Sequence, residues 1–269
     1  MSKAHVYCFS GSGNSLAVAR DIAERLDARI IPVASAVRKE TVDSDAEAIG
    51  FVFPIYDFKP PGVIEELIRK LNGLENRYLF AVCTYGIAPS QSLNHLGKVI
   101  KAHGGRLSAG FAIGMPHNGI GSRRMTDERR QRLFEDWATR LPEICEVIEA
   151  RKTGTIESSN LLLSFFEPRF IGMMPSLFKF LKQMLLKGAE SLAYAANENC
   201  DGCGICERVC PMVNVEIEDG APAWGDNCAG CFACLHWCPR EAINLGGVDL
   251  DIGIYHHPDV KLSDMINEA

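Results

Sequence analysis

The sequence lacks the features of membrane, secreted and nucleic-acid-binding proteins. No run of uncharged apolar residues reaches the roughly 18 residues that a transmembrane helix needs. The first residues, MSKAHVYCFSGSGNS, contain neither the apolar core nor the small-residue cleavage site of a signal peptide. An excess of basic residues is also missing, because the net charge is −6. We therefore expect a cytoplasmic protein with no nucleic-acid partner.

Length and charge indicate more than one domain. The chain has 269 residues and is 47% hydrophobic, enough for at least one sizeable core. Residues 200–246 hold seven acidic and two basic side chains, and residues 247–269 hold five and one. These two segments together carry −9, which leaves +3 for residues 1–199. The two ends of the chain therefore attract different partners.

The first 150 residues alternate between apolar strand candidates and helical patterns. Short apolar strands interleaved with helices predict a parallel sheet covered on both faces, here a doubly wound five-stranded α/β domain over residues 1–150. The five candidates are HVYCF, RIIPV, AIGFVF, YLFAVC and RLSAGFAI.

Residues 151–197 are apolar and basic, and we predict a helical strap or linker. One stretch places Leu177, Leu181, Met184 and Leu185 on one helical face, flanked by lysines. Such a helix, over residues 177–192, could lie on a membrane surface. Packing against the first domain is the preferred interpretation. No role is derived for the tail at 247–269.

The cysteines are strongly clustered. Of 11 cysteines, eight lie between Cys200 and Cys238, whereas Cys8, Cys83 and Cys145 are solitary. In a cytosolic chain, clustered cysteines favour metal binding over disulfides. Solitary cysteines are more often small buried apolar residues than reactive thiols.

The clustered cysteines form a duplicated motif. The pattern C-x2-C-x2-C-x3-C-P occurs twice at a shift of 28 residues. Three closely spaced thiolates can bind three corners of an iron–sulfur cube, and the fourth ligates the cube of the other half. A four-cysteine zinc site instead uses two separated C-x2-C pairs. The predicted ligands are Cys200, Cys203, Cys206 and Cys238 for cluster one, and Cys228, Cys231, Cys234 and Cys210 for cluster two. Residues 198–246 resemble bacterial ferredoxins with two [4Fe–4S] clusters, which implies a small α+β domain.

A glycine and hydroxyl loop follows the first strand and opens a helix, a position that suits a phosphate. The loop, SGSGNS, lacks the lysine of a nucleoside triphosphate loop and the third glycine of a dinucleotide fingerprint. It resembles the flavodoxin phosphate loop, which implies FMN as ligand. The loop residues are Ser10, Gly11, Ser12, Gly13, Asn14 and Ser15.

In the flavodoxin arrangement the flavin ring lies between loops that follow the third and fourth strands. Here these loops read PIYDFKPPG and TYGIAPSQS, the second poorer in glycine and asparagine than expected. The resemblance implies stacking by Tyr56, Phe58 and Tyr85, and backbone contacts from Pro54, Ile55, Thr84 and Gly86.

The whole arrangement resembles a flavodoxin–ferredoxin fusion family of anaerobic microbes. A cluster moves one electron and FMN can hold two, so the combination predicts an electron carrier between redox proteins. A flavin-dependent reductase of a small organic acceptor is the alternative, and a redox sensor is a third. No catalytic residue is assigned: His117 is a weak candidate proton donor. The basic run SRRMTDERRQR, at 122–132, is interpreted first as a solvated helix start. A second hypothesis is that it holds the acidic end of the chain or an acidic partner near the flavin.

Overall fold

The computed structural model describes residues 3–159, 174–175, 178, 193–245 and 251–266. The chain divides into two compact units. The first comprises Met1–Ser10, Asn14–Pro116 and Asp127–Phe165. The second comprises Gly11–Gly13, His117–Thr126 and Phe166–Ala269. The predicted helix at 177–192 lies outside the described residues, except for the exposed Phe178.

The first unit is a parallel sheet with helices. Its strands follow the order β2-β1-β3-β4-β5-β6, and every neighbouring pair is parallel. The strands are β1 Ala4–Cys8, β2 Arg29–Pro32, β3 Ala48–Pro54, β4 Tyr78–Tyr85, β5 Leu107–Gly114 and β6 Thr155–Ile156. The helices are α1 Asn14–Leu26, α2 Val33–Ala36, α3 Gly62–Lys70, α4 Ser92–Ala102 and α5 Asp127–Glu149.

The central strands are buried on both faces. Helices α1 and α5 share one core with alternate side chains of β1, β3, β4 and β5, including Val52 and Phe80. The intervening side chains, such as Phe51 and Phe53, are also fully buried. Side chains alternate along a strand, so both faces are covered, as predicted for a doubly wound sheet. Strands β1 to β5 take the flavodoxin-like order 2-1-3-4-5.

The sheet has six strands instead of the predicted five. The additional strand, β6, lies beyond residue 150 and pairs with β5. It consists of two residues, too few to give an apolar pattern. The Glu157 carboxylate anchors the end of β6 by accepting the Ala112 N–H at 2.7 Å and an Arg140 guanidinium hydrogen bond at 2.5 Å.

The second unit contains an internal repeat. Strand β7 pairs with β10 and β8 with β9, both antiparallel. Ile243 lies opposite Ala196 and Val215 opposite Trp224, two pairs related by the same 28-residue shift as the cysteines. The elements are β7 Tyr194–Ala196, α6 Ile205–Arg208, β8 Val215–Glu218, β9 Ala221–Trp224, α7 Ala233–His236, β10 Ile243–Leu245 and α8 Leu262–Met265.

The repeat is longer than the cysteine motif. Strand β7 begins at Tyr194, within the stretch predicted as a linker to residue 197. The described part of the predicted tail, residues 251–266, also belongs to the second unit, where it ends in the short helix α8.

Gly50 in β3 provides a stability prediction. A Cβ at this position would lie 2.3 Å from Cζ of the fully buried Phe80. Replacing Gly50 with alanine is expected to destabilise the protein by about 1–3 kcal/mol because the core must shift to accommodate the methyl group. Chemical denaturation measures this loss. Gly62→Ala is the control, since its Cβ would meet nothing within 4 Å. Equal stability of the two variants would contradict the prediction.

Candidate cofactor-binding sites

Four cysteines from both repeats line one cavity. They are the predicted ligands of cluster one: Cys200, Cys203, Cys206 and Cys238. The remaining lining includes apolar side chains such as Ile205, Ile217 and Ile243. Cys200 and Cys203 precede α6, Cys206 lies within it, and Cys238 comes from the second repeat. The structure therefore places together the set that the crossed assignment predicts.

The other four cysteines form the complementary set. Cys210 and Cys228 act electrostatically on both Cys231 and Cys234, and in each case they raise the pKa. Cys210 belongs to the first repeat and the other three to the second. No three His, Cys, Asp or Glu side chains in the described parts of the chain are placed to hold a single metal ion.

The buried thiols need a compensating positive charge to ionise. Burial raises the pKa of Cys206 to about 11 and that of Cys231 to about 12. Desolvation of the thiolate is the main cause in both, so the thiols alone stay protonated at neutral pH. Bound iron would stabilise the thiolates. This chemistry fits an iron–sulfur cluster.

Backbone N–H groups point at several of the sulfurs. Asn214 N donates to Cys210 Sγ at 3.3 Å, and Ala242 N donates to Cys238 Sγ at 3.4 Å. These two bonds occupy equivalent positions in the repeats. Gly230 N also donates to Cys228 Sγ at 3.3 Å. Such donors stabilise negative charge on cluster sulfurs.

Aromatic side chains cover the second cysteine set. Tyr194 stacks on Trp224 with ring centroids 5.6 Å apart, and burial together with Cys234 and its neighbours raises the Tyr194 pKa. The Trp224 indole N–H is buried without a nitrogen or oxygen partner among the described residues. Burial is the largest effect on Cys234 and raises its pKa. The hydrogen bond from the Trp224 indole acts in the opposite direction, because it favours the Cys234 thiolate. A buried indole donor directed at a cysteine sulfur again fits a cluster.

The turns that wrap the cysteines use left-handed backbone. Gly202 and Gly230 have φ of 69° and 64°, and Gly204 has 70°. The position equivalent to Gly204 is Phe232, with φ of 57°. A side chain in this conformation is strained. The Phe232 ring packs edge-on against Tyr194 and His236, a contact that glycine could not make.

In the first unit, the helix that follows the glycine and hydroxyl loop contacts the end of β4. Ser15 and Thr84 hydroxyls are 2.8 Å apart and both are buried. Asn14 Nδ2 donates to the Pro116 carbonyl at 2.9 Å. Two predicted groups, the start of α1 and the end of β4, are therefore brought together at the carboxyl edge of the sheet.

The loops after β3 and β4 also lie at this edge. Ile55 N donates to the Thr84 carbonyl at 2.8 Å, which ties the two loops together. Tyr56 and Lys59 exchange backbone hydrogen bonds across a tight turn whose central residues, Asp57 and Phe58, have φ of 48° and 63°. Tyr56, Phe58, Tyr85, Pro54, Ile55 and Gly86 are all partly exposed. Their roles in flavin binding stay predictions.

In the second unit, residues 11–13 of the loop are held by side chains and backbone from the C-terminal part of the chain. Trp237 Nε1 donates to the Gly11 carbonyl and His257 N to the Ser12 carbonyl, both at 2.9 Å. Asn118 Nδ2 donates to Ser12 Oγ at 3.2 Å. The sequence has no periodic pattern or motif that predicts these contacts.

The histidines of the second unit have structural partners. His236 Nε2 donates to the Asn118 carbonyl at 2.9 Å and its Nδ1 accepts the Tyr255 N–H at 3.3 Å. Burial lowers the pKa of His236 to about 4, so the ring is neutral. His117 donates to the Ile120 carbonyl at 2.7 Å within its own loop. His117, the weak candidate for a proton donor, therefore has a structural role in ordering this loop.

Two arginines of the basic run contact the acidic C-terminal segment. Arg124 Nε lies 2.6 Å from the Asp251 carboxylate, and Arg123 Nη2 donates to the Ile252 carbonyl at 3.1 Å. Gly253 N donates to Ser122 Oγ at 3.0 Å. The run thus anchors residues 251–253 within the second unit.

No helix in the described residues is both long and apolar enough to cross a bilayer.

The three solitary cysteines, Cys8, Cys83 and Cys145, are buried, as expected for core residues.

Several solved structures are similar to part of the chain. A putative flavoprotein from Bacteroides uniformis aligns with a TM-score of 0.37 and 15% identity, over 50% of this chain and 98% of its own. A flavodoxin from the domain Archaea aligns with a TM-score of 0.35 and 20% identity, over 52% of this chain and 98% of its own. Rubredoxin oxygen:oxidoreductase from Desulfovibrio gigas aligns with a TM-score of 0.36 and 14% identity, over 56% of this chain and 37% of its own. These TM-scores are low, so the description of the sheet rests on its strand order.

The sequence comparisons concern the cysteine region. No curated protein shows a significant match. Residues 199–243 match the family of 4Fe–4S dicluster domains. This match confirms the prediction of a ferredoxin-type iron–sulfur region. The chain therefore joins a parallel sheet of flavodoxin-like strand order to a region that matches 4Fe–4S dicluster domains, and this region supports electron transfer through iron–sulfur chemistry.

Proposed function

We propose that the chain is an electron carrier that passes electrons between two [4Fe–4S] clusters and FMN, linking one-electron and two-electron redox partners. The crossed grouping of the cysteines carries this proposal. Cys238 of the second repeat shares a cavity with Cys200, Cys203 and Cys206, and Cys210 of the first repeat groups with the remaining three. Two complete four-thiol sets support two clusters per chain.

The protein would hold each cluster through four thiolates and tune it through N–H donors. Asn214 and Ala242 supply equivalent backbone donors to Cys210 and Cys238. The Trp224 indole adds a donor only beside the second set. Because hydrogen bonds to sulfur shift the reduction potential, this difference makes the two clusters inequivalent.

FMN would bind at the carboxyl edge of the flavodoxin-like sheet. We propose that the loop from Ser10 to Ser15 binds the phosphate, with N–H groups at the start of α1 as donors. The Ser15 and Thr84 hydroxyls are buried beside each other at this edge. The loops carrying Tyr56, Phe58 and Tyr85 would enclose the ring. When bound, FMN supplies the ability to accept two electrons and to release them one at a time.

We further propose that the external donor or acceptor is another redox protein in the cytoplasm. Residues 200–246 carry seven acidic and two basic side chains, which favours a partner with a basic contact surface. A reducing compartment also suits eight cysteines that serve as metal ligands.

Metal and flavin analysis after anaerobic purification tests the proposal. About eight irons, eight sulfides and one FMN per chain are expected. A redox titration in the visible range should show that reduction of the clusters is followed by reduction of the flavin. Zinc in place of iron, or the absence of a yellow chromophore, would overturn the proposed function. Clusters that become reduced while bound FMN stays oxidised would favour a sensor.

A further inference from the structure

Two successive carbonyl groups of the β1–α1 loop face the C-terminal part of the second unit. The Gly11 carbonyl accepts the Trp237 indole N–H, and the Ser12 carbonyl accepts the His257 backbone N–H, each at 2.9 Å. Here each is fixed in direction by a donor from the second unit.

Fixing these carbonyls also fixes the neighbouring N–H groups. A trans peptide is planar, so its N–H points opposite to its C=O, and no cis peptide occurs in the described chain. The N–H groups of Ser12 and Gly13 therefore point away from Trp237 and His257. Successive N–H groups with a common direction form a concave anion site.

The Ser12 hydroxyl is prepared in the same way. Its oxygen accepts the Asn118 amide at 3.2 Å, which directs its own proton elsewhere. Asn118 is itself held, because its carbonyl accepts His236 Nε2 at 2.9 Å. Donors of the second unit thus fix the Gly11 carbonyl, the Ser12 carbonyl and the Ser12 hydroxyl oxygen together.

Trp237 is rigidly placed. It lies between the cysteines at 234 and 238, is buried, and stacks on His256 with centroids 4.5 Å apart and an interplanar angle of 16°. His256 belongs to the segment 251–266, which is anchored by the Arg124–Asp251 ion pair and packs Val260 against Gly13. The position of the indole therefore depends on the turn between two predicted cluster ligands.

We propose that Trp237 and the segment 251–266 are positioning elements that hold the β1–α1 loop in its phosphate-binding conformation, and thereby couple flavin affinity to the cluster-binding turn. This inference rests on the proposed binding of FMN. It assigns a role to a C-terminal segment that lies outside residues 199–243, the part matched by the dicluster family.

Trp237→Phe tests the proposal because it removes the indole donor and retains an aromatic ring. The dissociation constant for FMN is expected to rise about fivefold to tenfold, the effect of one lost hydrogen bond. Riboflavin, which has no phosphate, should bind with unchanged affinity. Both ligands are titrated by flavin fluorescence, and iron content is measured in the same samples.

Trp137→Phe is the matched control, since this indole donates to Asp21 within the first unit at 2.6 Å. Asn118→Ala is a second variant should Trp237→Phe fold poorly, and the same selective loss of FMN affinity is expected. Equal weakening of FMN and riboflavin, or no weakening, would refute the positioning role and leave FMN binding established. Failure of the unaltered protein to bind FMN would refute the proposed function and this inference with it.

Discussion

Replacing Cys206 and Cys238 together with alanine is expected to remove one cluster, about half of the iron, whereas replacing Cys206 and Cys210 together should remove both. The cavity that contains Cys206 and Cys238 carries this expectation. If each run of four cysteines held its own cluster, the two results would be exchanged. Iron content and electron paramagnetic resonance of the reduced protein distinguish the two outcomes.

The single variants provide a finer comparison. Cys206→Ala and Cys238→Ala should leave the same residual spectrum, and Cys210→Ala and Cys234→Ala should share another. Cys145→Ala is the control, because Cys145 is buried in the first unit and belongs to neither cysteine set. This variant should retain all of the iron. A shared spectrum for Cys206→Ala and Cys210→Ala would contradict the crossed assignment.

Replacing Gly13 with alanine is expected to weaken FMN binding about tenfold to hundredfold. Gly13 has φ of 93°, and a Cβ would lie 3.0 Å from Val260 Cβ and 3.2 Å from His257 Cβ. Left-handed backbone costs an alanine about 1–2 kcal/mol, and the crowding adds to this. The loop should relieve the strain by rotating its peptide groups away from the phosphate.

Gly104→Ala is the control for strain alone, since φ is 84° and nothing lies within 4 Å of its Cβ. This variant should lose stability and keep its FMN affinity, measured by fluorescence titration. Unchanged FMN affinity in Gly13→Ala, with full iron content, would argue against the loop as the phosphate site.

The parts of the structure that were predictable have local signals. The cysteine sets follow from short spacings and a repeat, and the α/β sheet follows from alternating apolar strands and helices. Their burial on both faces produces continuous apolar runs that are easily recognised. The predictions of a flavodoxin-like α/β fold and of an iron–sulfur region were confirmed, although the sheet has a sixth strand.

The parts that were missed depend on contacts between residues distant in sequence. Strand β7 consists of Tyr194 and two alanines, and pairs with β10 about 50 residues later. The hydrogen bond from Trp237 to Gly11 spans 226 positions. Neither contact leaves a periodic pattern. A single tryptophan or a short polar tail is compatible with many surroundings, so sequence alone could not assign these roles.

The repeat in the second unit exchanges strands as well as cysteines. Strands β7 and β8 belong to the first repeat, and each pairs with a strand of the second. One repeat, made as a separate peptide, would have neither its fourth thiol nor a partner for its strands. It would complete both only by associating with an identical copy. The present domain is therefore the covalent counterpart of a two-fold symmetric dimer of such repeats.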